Sequence, residues 1–170
     1  PVFDLRPLQG NQSLTRLNLT GTEVDDLGPL KGLSLTSLVL DSTAVADLSP
    51  LQGMRTLRSV SASGSAIRDI TPLQGMELTS LILFNTKVQD VGPIAGLPLT
   101  YLDLGHTDIR DLGFLNGMST LRQFEIEGTK VTSFSAIAES GFSGHLALGA
   151  GGSQLHMNQV MTGLPPVMTP

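Results

Sequence analysis

The sequence predicts a repeat solenoid: a curved right-handed coil with a concave parallel β-sheet on one side and short 3₁₀ turns on the convex side. Two observations predict it. Openings on Leu14, Leu35, Leu57, Leu78, Leu99, Leu121 and Ser143 are separated by 21, 22, 21, 21, 22 and 22 residues, a period at which a chain stacks one supersecondary unit on the next. Within each unit an alternating x-L-x-L segment, the two-residue period of a strand, gives way to a turn segment carrying Asp, Pro and Gly.

Taken in order, the segment Pro1 to Gly10 carries VFDLRPLQG, the counterpart of VDDLGPLKG at Val24 to Gly32, so the array is expected to open on a half unit. Six units follow, from LTRLNLTGTEVDDLGPLKGLS at Leu14 to LRQFEIEGTKVTSFSAIAESGF at Leu121. In the first, Leu17 and Leu19 point to one side of a strand and Asn18 to the other. Parallel stacking about 4.8 Å apart then buries the leucine pairs and leaves the residues between them as columns on an open face. The chain must next return along the convex side while burying Val24, Leu27 and Leu30. Pro29, Pro50, Pro72 and Pro93 suit the first position of a short helix, where no amide hydrogen is needed. Gly28, Ser49, Thr71 and Gly92 precede them as N-cap residues, and Gly32, Gly53, Gly75 and Gly96 stand where a left-handed exit is useful. One 3₁₀ turn per repeat is expected. The 22-residue units place their extra residue after this turn, as in Arg55-Thr56 before Leu57.

The last unit departs from the pattern: Phe114 and Ala136 stand for Pro, Ser133 for Asp, and Phe124 and Phe134 for Leu. A terminal strand follows at Leu146 and Leu148, and Gly149 to Gly152 then breaks the period. Beyond it, Met157, Val160, Met161 and Leu164 have helical spacing, with a short strand through Leu155 and Met157 as the rival. The organisation predicted is therefore a solenoid over 1–148 and a capping tail over 149–170.

Each unit reads L-x-x-L-x-L-x-x-T-x-V-x-D-L-x-P-L-x-G-L/M, which resembles the bacterial internalin-type leucine-rich repeat over residues 2–148. The resemblance implies a leucine-rich-repeat solenoid. That class usually carries Asn at the ninth position, where this chain has Thr22, Thr43, Ser65, Thr86, Thr107 and Thr129. A hydroxyl can bond nearby backbone groups in a turn as an amide does, though more weakly. The resemblance does not carry a partner with it, because partner choice resides in the variable positions.

Composition excludes several classes of function. Ten Lys and Arg against fifteen Asp and Glu leave a net charge of -5, with the cations scattered rather than forming the basic stripe that nucleic acid requires. No Cys is present, so there are neither disulfides nor thiolate metal sites, and no apolar run approaches the roughly 20 residues of a membrane span. The segment from Pro1 carries neither the basic nor the apolar region of a leader, and any signal or anchor is expected outside this chain. The histidines His106, His145 and His156 lie in different units with no catalytic partner at a recognisable spacing. His106 reads as a surface turn residue. The column Asp4, Asp26, Asp47, Asp69, Asp90 and Asp111 reads as an acceptor for turn amides, because calcium's six to eight ligands are not supplied by one carboxylate per repeat. Gly149, Gly151 and Gly152 lack the strand, helix and Lys of a phosphate loop. No catalytic residue, metal or cofactor is expected.

What varies between units lies on the open face. The position between the two leucines reads Asn18, Val39, Ser61, Ile82, Asp103 and Glu125. Two residues before it stand Arg16, Ser37, Ser59, Ser80, Tyr101 and Gln123; two after it, Thr20, Asp41, Ser63, Phe84, Gly105 and Glu127. Val39, Ile82, Phe84 and Tyr101 are apolar or aromatic where the fold gains nothing from them, the usual anchor composition of a protein interface. Beside them Asp103, Glu125 and Glu127 form an acidic end that favours a basic partner segment. A blander reading has Phe84 and Tyr101 packing on each other across neighbouring strands. The expectation is a non-catalytic module that binds a protein or peptide. The alternative is a structural segment that self-associates through an uncapped end, which light scattering separates from a monomer. Sparse charge with abundant Ser, Thr and Gly leans towards a secreted or cell-surface setting.

Overall fold

Every x-L-x-L segment forms a short strand in a computed structural model of the chain, which describes residues 3–147 and the backbone of residues 155–156. The strands are β1 (Arg16–Asn18), β2 (Ser37–Val39), β3 (Ser59–Ser61), β4 (Ser80–Ile82), β5 (Tyr101–Asp103), β6 (Gln123–Glu125), β7 (His145–Ala147) and β8 (Leu155–His156). They lie in chain order in one sheet. The strands β1 to β7 pair in parallel with no register slip, so that Asn18, Val39, Ser61, Ile82, Asp103, Glu125 and Ala147 fall in one row. The ladder runs on past the strand ends, with the Leu40 N–H donating to the Ser61 carbonyl at 2.7 Å and the Leu83 N–H to that of Asp103 at 2.8 Å. A one-residue slip would turn every leucine outward, and the inward residues, from Leu38 and Leu40 to Leu102 and Leu104, are fully buried.

The return segment forms a 3₁₀ turn at Arg6–Leu8, Gly28–Leu30, Ser49–Leu51, Thr71–Leu73, Gly92–Ile94 and Gly113–Leu115. Each begins one residue earlier than the proline pattern predicts, so Gly28, Ser49, Thr71 and Gly92 are the first turn residues and not its caps. The cause is the aspartate column. Asp26 accepts the Gly28 N–H at 2.7 Å, Asp47 that of Ser49 at 2.7 Å, Asp69 that of Thr71 at 2.8 Å, and Asp90 that of Gly92 at 2.8 Å. One carboxylate oxygen thus takes the first free amide of the turn, and the proline that follows has no amide to satisfy. Donors from Ser49 and from Thr71 hold the Asp47 and Asp69 carboxyls below the usual aspartate value.

A second column closes the other turn. The hydroxyls of Thr22, Thr43, Ser65, Thr86, Thr107 and Thr129 donate to the carbonyls of Leu19, Leu40, Ala62, Leu83, Leu104 and Ile126 at 2.6 to 2.9 Å. This is the backbone bond expected of a hydroxyl at that position. The residue before each hydroxyl is left-handed: glycine in the units of Gly21, Gly64 and Gly128, but Ser42 (φ 55°), Asn85 (φ 54°) and His106 (φ 54°) elsewhere. A non-glycine residue there costs on the order of 1 kcal/mol. Ser42→Gly is therefore expected to stabilise the protein by about 1 kcal/mol, and Asn85→Gly by less because Asn tolerates this conformation; thermal melts of the two variants check the order.

The last unit breaks the rule of one 3₁₀ turn per repeat. With Ala136 in place of Pro and an Ala-rich stretch behind it, the return segment winds into an α-helix, α1 (Ser135–Ser140), stopped by left-handed Gly141 at φ 71°. Ser133 stands in for the aspartate and accepts the Ser135 amide at 3.4 Å. Phe114, Phe124 and Phe142 fill the core beneath it edge to face. Strand β8 pairs antiparallel with β7, agreeing with an extended segment through Leu155; the helix expected over 157–164 lies outside the described residues.

Candidate functional site

The parallel register brings the variable residues of the open face together as predicted, in rows that run across the strands. Ser80 pairs with Tyr101 and Ile82 with Asp103; Tyr101 pairs in turn with Gln123 and Asp103 with Glu125. Val39 lies two strands from Ile82, with Ser61 between them. The apolar residues therefore span the units of β2 to β5 around a floor of serines, with Phe84 two residues past β4, and the acidic residues lie on β5, on β6 and, at Glu127, two residues past β6.

Phe84 is 37% exposed, while Val39, Ile82 and Tyr101 are half-buried. Its ring lies across the neighbouring strand. A Cβ added to Gly105 would stand 2.9 Å from Phe84 Cδ2 and 3.1 Å from Asp103 Oδ1, so only glycine leaves room for the ring there. Phe84 also meets His106 edge to face, with ring centroids 5.0 Å apart at 71°. His106 is thus the exposed turn residue expected, but one that also braces an aromatic neighbour. Tyr101 instead donates its hydroxyl to Glu125 Oε1 at 3.0 Å. Burial, reinforced by this carboxylate, pushes the phenol up to about 12. Among the described residues the rings of Phe84 and Tyr101 do not pair with each other. The sequence pattern could not foresee this, because each ring meets a residue of the next unit, 22 positions away for Phe84 and 24 for Tyr101.

The expectation of an open acidic end requires one correction. Glu125 and Glu127 are half-buried, but Asp103 is buried, at 8% exposure. Asp103 belongs to the middle row and is enclosed by the neighbouring units, whereas alternation within a single strand counted it as outward. Its Oδ1 accepts the Gly105 N–H at 2.8 Å. In β1 the same bond is made by Asn18, whose Oδ1 accepts the Thr20 N–H at 2.9 Å. Burial raises the Asp103 carboxyl above the ordinary aspartate value; the Gly105 amide pulls the other way, Glu125 and Glu127 raise it further, and His106 lowers it. A raised carboxyl binds its proton more tightly when folded than when unfolded. Ionisation of Asp103 therefore opposes folding, and this group's contribution to stability declines as pH rises through its raised value.

Asp41, not among the expected site residues, ties two strands together: its Oδ1 receives the Ser61 hydroxyl at 2.6 Å and the Ser63 amide at 2.8 Å. An Asp standing opposite serines one unit away was the available signal. Among the described residues no group of three or more His, Asp or Glu is placed to hold a metal ion, and no helix is long and apolar enough to cross a membrane. The face presents a rigid aromatic ring, aliphatic groups, small hydroxyls and carboxylates, which can exclude water from a partner surface and pair with its donors.

Comparison with known proteins agrees with this architecture. A family description for the leucine-rich repeat matches residues 10–28 and 98–114. No curated protein sequence matches the chain. Among solved structures, the fold is similar to an internalin (inlF) from Listeria monocytogenes, with a TM-score of 0.81 and 31% identity over 86% of this chain. An internalin C2 (inlC2) from the same species superposes with a TM-score of 0.82 at 28% identity, again over 86% of this chain. The chain spans 44% and 66% of the lengths of those two proteins. A leucine-rich-repeat protein of Leptospira interrogans, with a TM-score of 0.63 and 20% identity over 81% of this chain and 38% of its own, shares the fold.

Proposed function

For a chain that is a bacterial leucine-rich-repeat solenoid resembling the internalin class, we propose that it recognises a protein or peptide on the open face of its parallel sheet and catalyses no reaction. The observation that carries this reading is Phe84: an exposed aromatic ring lying against Gly105 and edge to face with His106 on a face whose framework gains little from it. Exposed aromatics with few freely rotating bonds lose little entropy on contact and tend to dominate binding energy, at about 2 kcal/mol or more for each anchor. The surrounding serines and half-buried Val39 and Ile82 supply the low relief such an anchor needs.

The test is a variant with Ile82, Phe84 and Tyr101 all replaced by Ala. Proteins or peptides captured by the wild-type chain are expected to lose at least about tenfold in affinity for the variant, while its melting temperature falls by only a few degrees. Unchanged capture, or a melting temperature that collapses, removes the reading. The sparse charge of the chain, 15% Asp, Glu, Lys and Arg, supports placing this recognition on a secreted or cell-surface protein.

A further inference from the structure

We infer that the partner presents a lysine or arginine side chain next to its apolar anchor, and that Asp103 receives the cation. This deepens the proposed recognition on the open face and rests on it. The variable columns of β2 to β7 hold Asp41, Asp103, Glu125 and Glu127 but no Lys or Arg. The one cation of these columns, Arg16, stands on β1, four strands from β5. Asp41 is taken up by Ser61 and Ser63, and Glu125 by the Tyr101 hydroxyl.

Asp103 is different, because its structural task does not call for a charge. The Gly105 amide needs only a carbonyl oxygen, and Asn18 fills the same place in β1 with an amide at nearly the same distance. A buried carboxylate beside Glu125 and Glu127 carries an unfavourable desolvation and repulsion that an asparagine would avoid. A cation docked from outside turns that disadvantage into attraction, and burial strengthens the pairing by lowering the local dielectric. The apolar anchor lies within reach, since Ile82 is the register partner of Asp103 and Phe84 lies against Gly105, two residues past it. An extended segment crossing the strands places side chains i and i+2 about 7 Å apart on one face. Its apolar residue can then sit on Ile82 and Phe84 with a basic residue two positions on at Asp103.

The probes are three sets of synthetic peptides with the same apolar residues, carrying at the position two residues on either Arg or Lys, or Gln, or Glu. Each is titrated against the wild-type chain, Asp103→Asn and Phe84→Ala at low and high salt. The basic set is expected to bind wild type at least about tenfold more tightly than the Gln set, and more weakly as salt rises. Asp103→Asn should lose about tenfold for the basic set alone while melting at a higher temperature than wild type, a combination that a merely structural role does not produce. If Asp103→Asn binds the basic peptides as wild type does, the inference is overturned. Tight binding of the Gln or Glu peptides that Phe84→Ala abolishes also overturns it, yet leaves the open face as the recognition surface. If no peptide set distinguishes wild type from the Ile82, Phe84 and Tyr101 triple alanine variant, both readings fall. Millimolar calcium raising the melting temperature of wild type but not of Asp103→Asn would assign the carboxylate to a metal ion instead.

Discussion

Replacing Phe124 with Ala is expected to destabilise the last units by about 3–5 kcal/mol, the range for deleting a buried aromatic ring. Phe124 is 0% exposed and occupies the inward place of β6 that Leu17, Leu38, Val60, Leu81 and Leu102 hold in earlier strands. Its ring meets Phe114 at 5.9 Å and 82°, and Phe142 at 6.3 Å and 79°. These three rings fill the space left where the framework proline is replaced and the return segment is α1 rather than a 3₁₀ turn. Leucine at this position restores the framework residue but withdraws the surface both neighbours pack on, so Phe124→Leu should cost about 1 kcal/mol. A solenoid contacts itself only between adjacent units, so the damage should remain local. Hydrogen exchange is expected to accelerate in β6, β7 and α1 while β2 to β4 keep their protection. Uniform acceleration along the whole sheet would show that the terminal rings hold no separate cooperative unit.

The features legible in the sequence are those that recur in every unit. Leucine alternation determines which way Leu38 or Leu81 faces, and a fixed period fixes the strand register. The aspartate and threonine columns could be assigned to turn amides and carbonyls because their partners lie two or three residues away on the same chain. Features that depend on side chains one unit distant were not legible. Whether Asp103 is open depends on what Tyr101, Phe84 and Glu125 do above it, and no alternation rule contains that information. Phe84 lies against Gly105, a small residue in the next unit to which the column pattern assigns no role. The turn start was misplaced by one residue for a related reason: proline marks where an amide is absent, but the amide just before it is claimed by an aspartate side chain. In the last unit the loss of Pro at Ala136 was visible, yet the choice between 3₁₀ and α winding rests on the amide it restores and on the core that Ile137 enters.

The threonine column sets the second large expected effect. Thr86 is 2% exposed and its hydroxyl donates to the Leu83 carbonyl at 2.7 Å; Thr107 does the same to Leu104 at 2.6 Å. Valine has nearly the same shape but no donor, so each substitution removes a donor from a buried carbonyl, at about 1–2 kcal/mol, the lower end applying to Thr107 because the Leu104 carbonyl keeps the Thr107 N–H at 3.3 Å. The double variant Thr86→Val, Thr107→Val is expected to lose about 2–4 kcal/mol if the rungs act independently. Serine at Thr86 keeps the bond, as Ser65 does at 2.7 Å, and should cost only the methyl group, about 0.8 kcal/mol. Denaturant midpoints for these variants separate hydrogen bonding from packing. If the valine variants match wild type and the serine variant is the weaker, the column is held by its methyl groups. The ninth position would then specify turn shape by volume, and threonine in five of the six units, where the internalin-type repeat usually has asparagine, would need no hydrogen-bonding explanation.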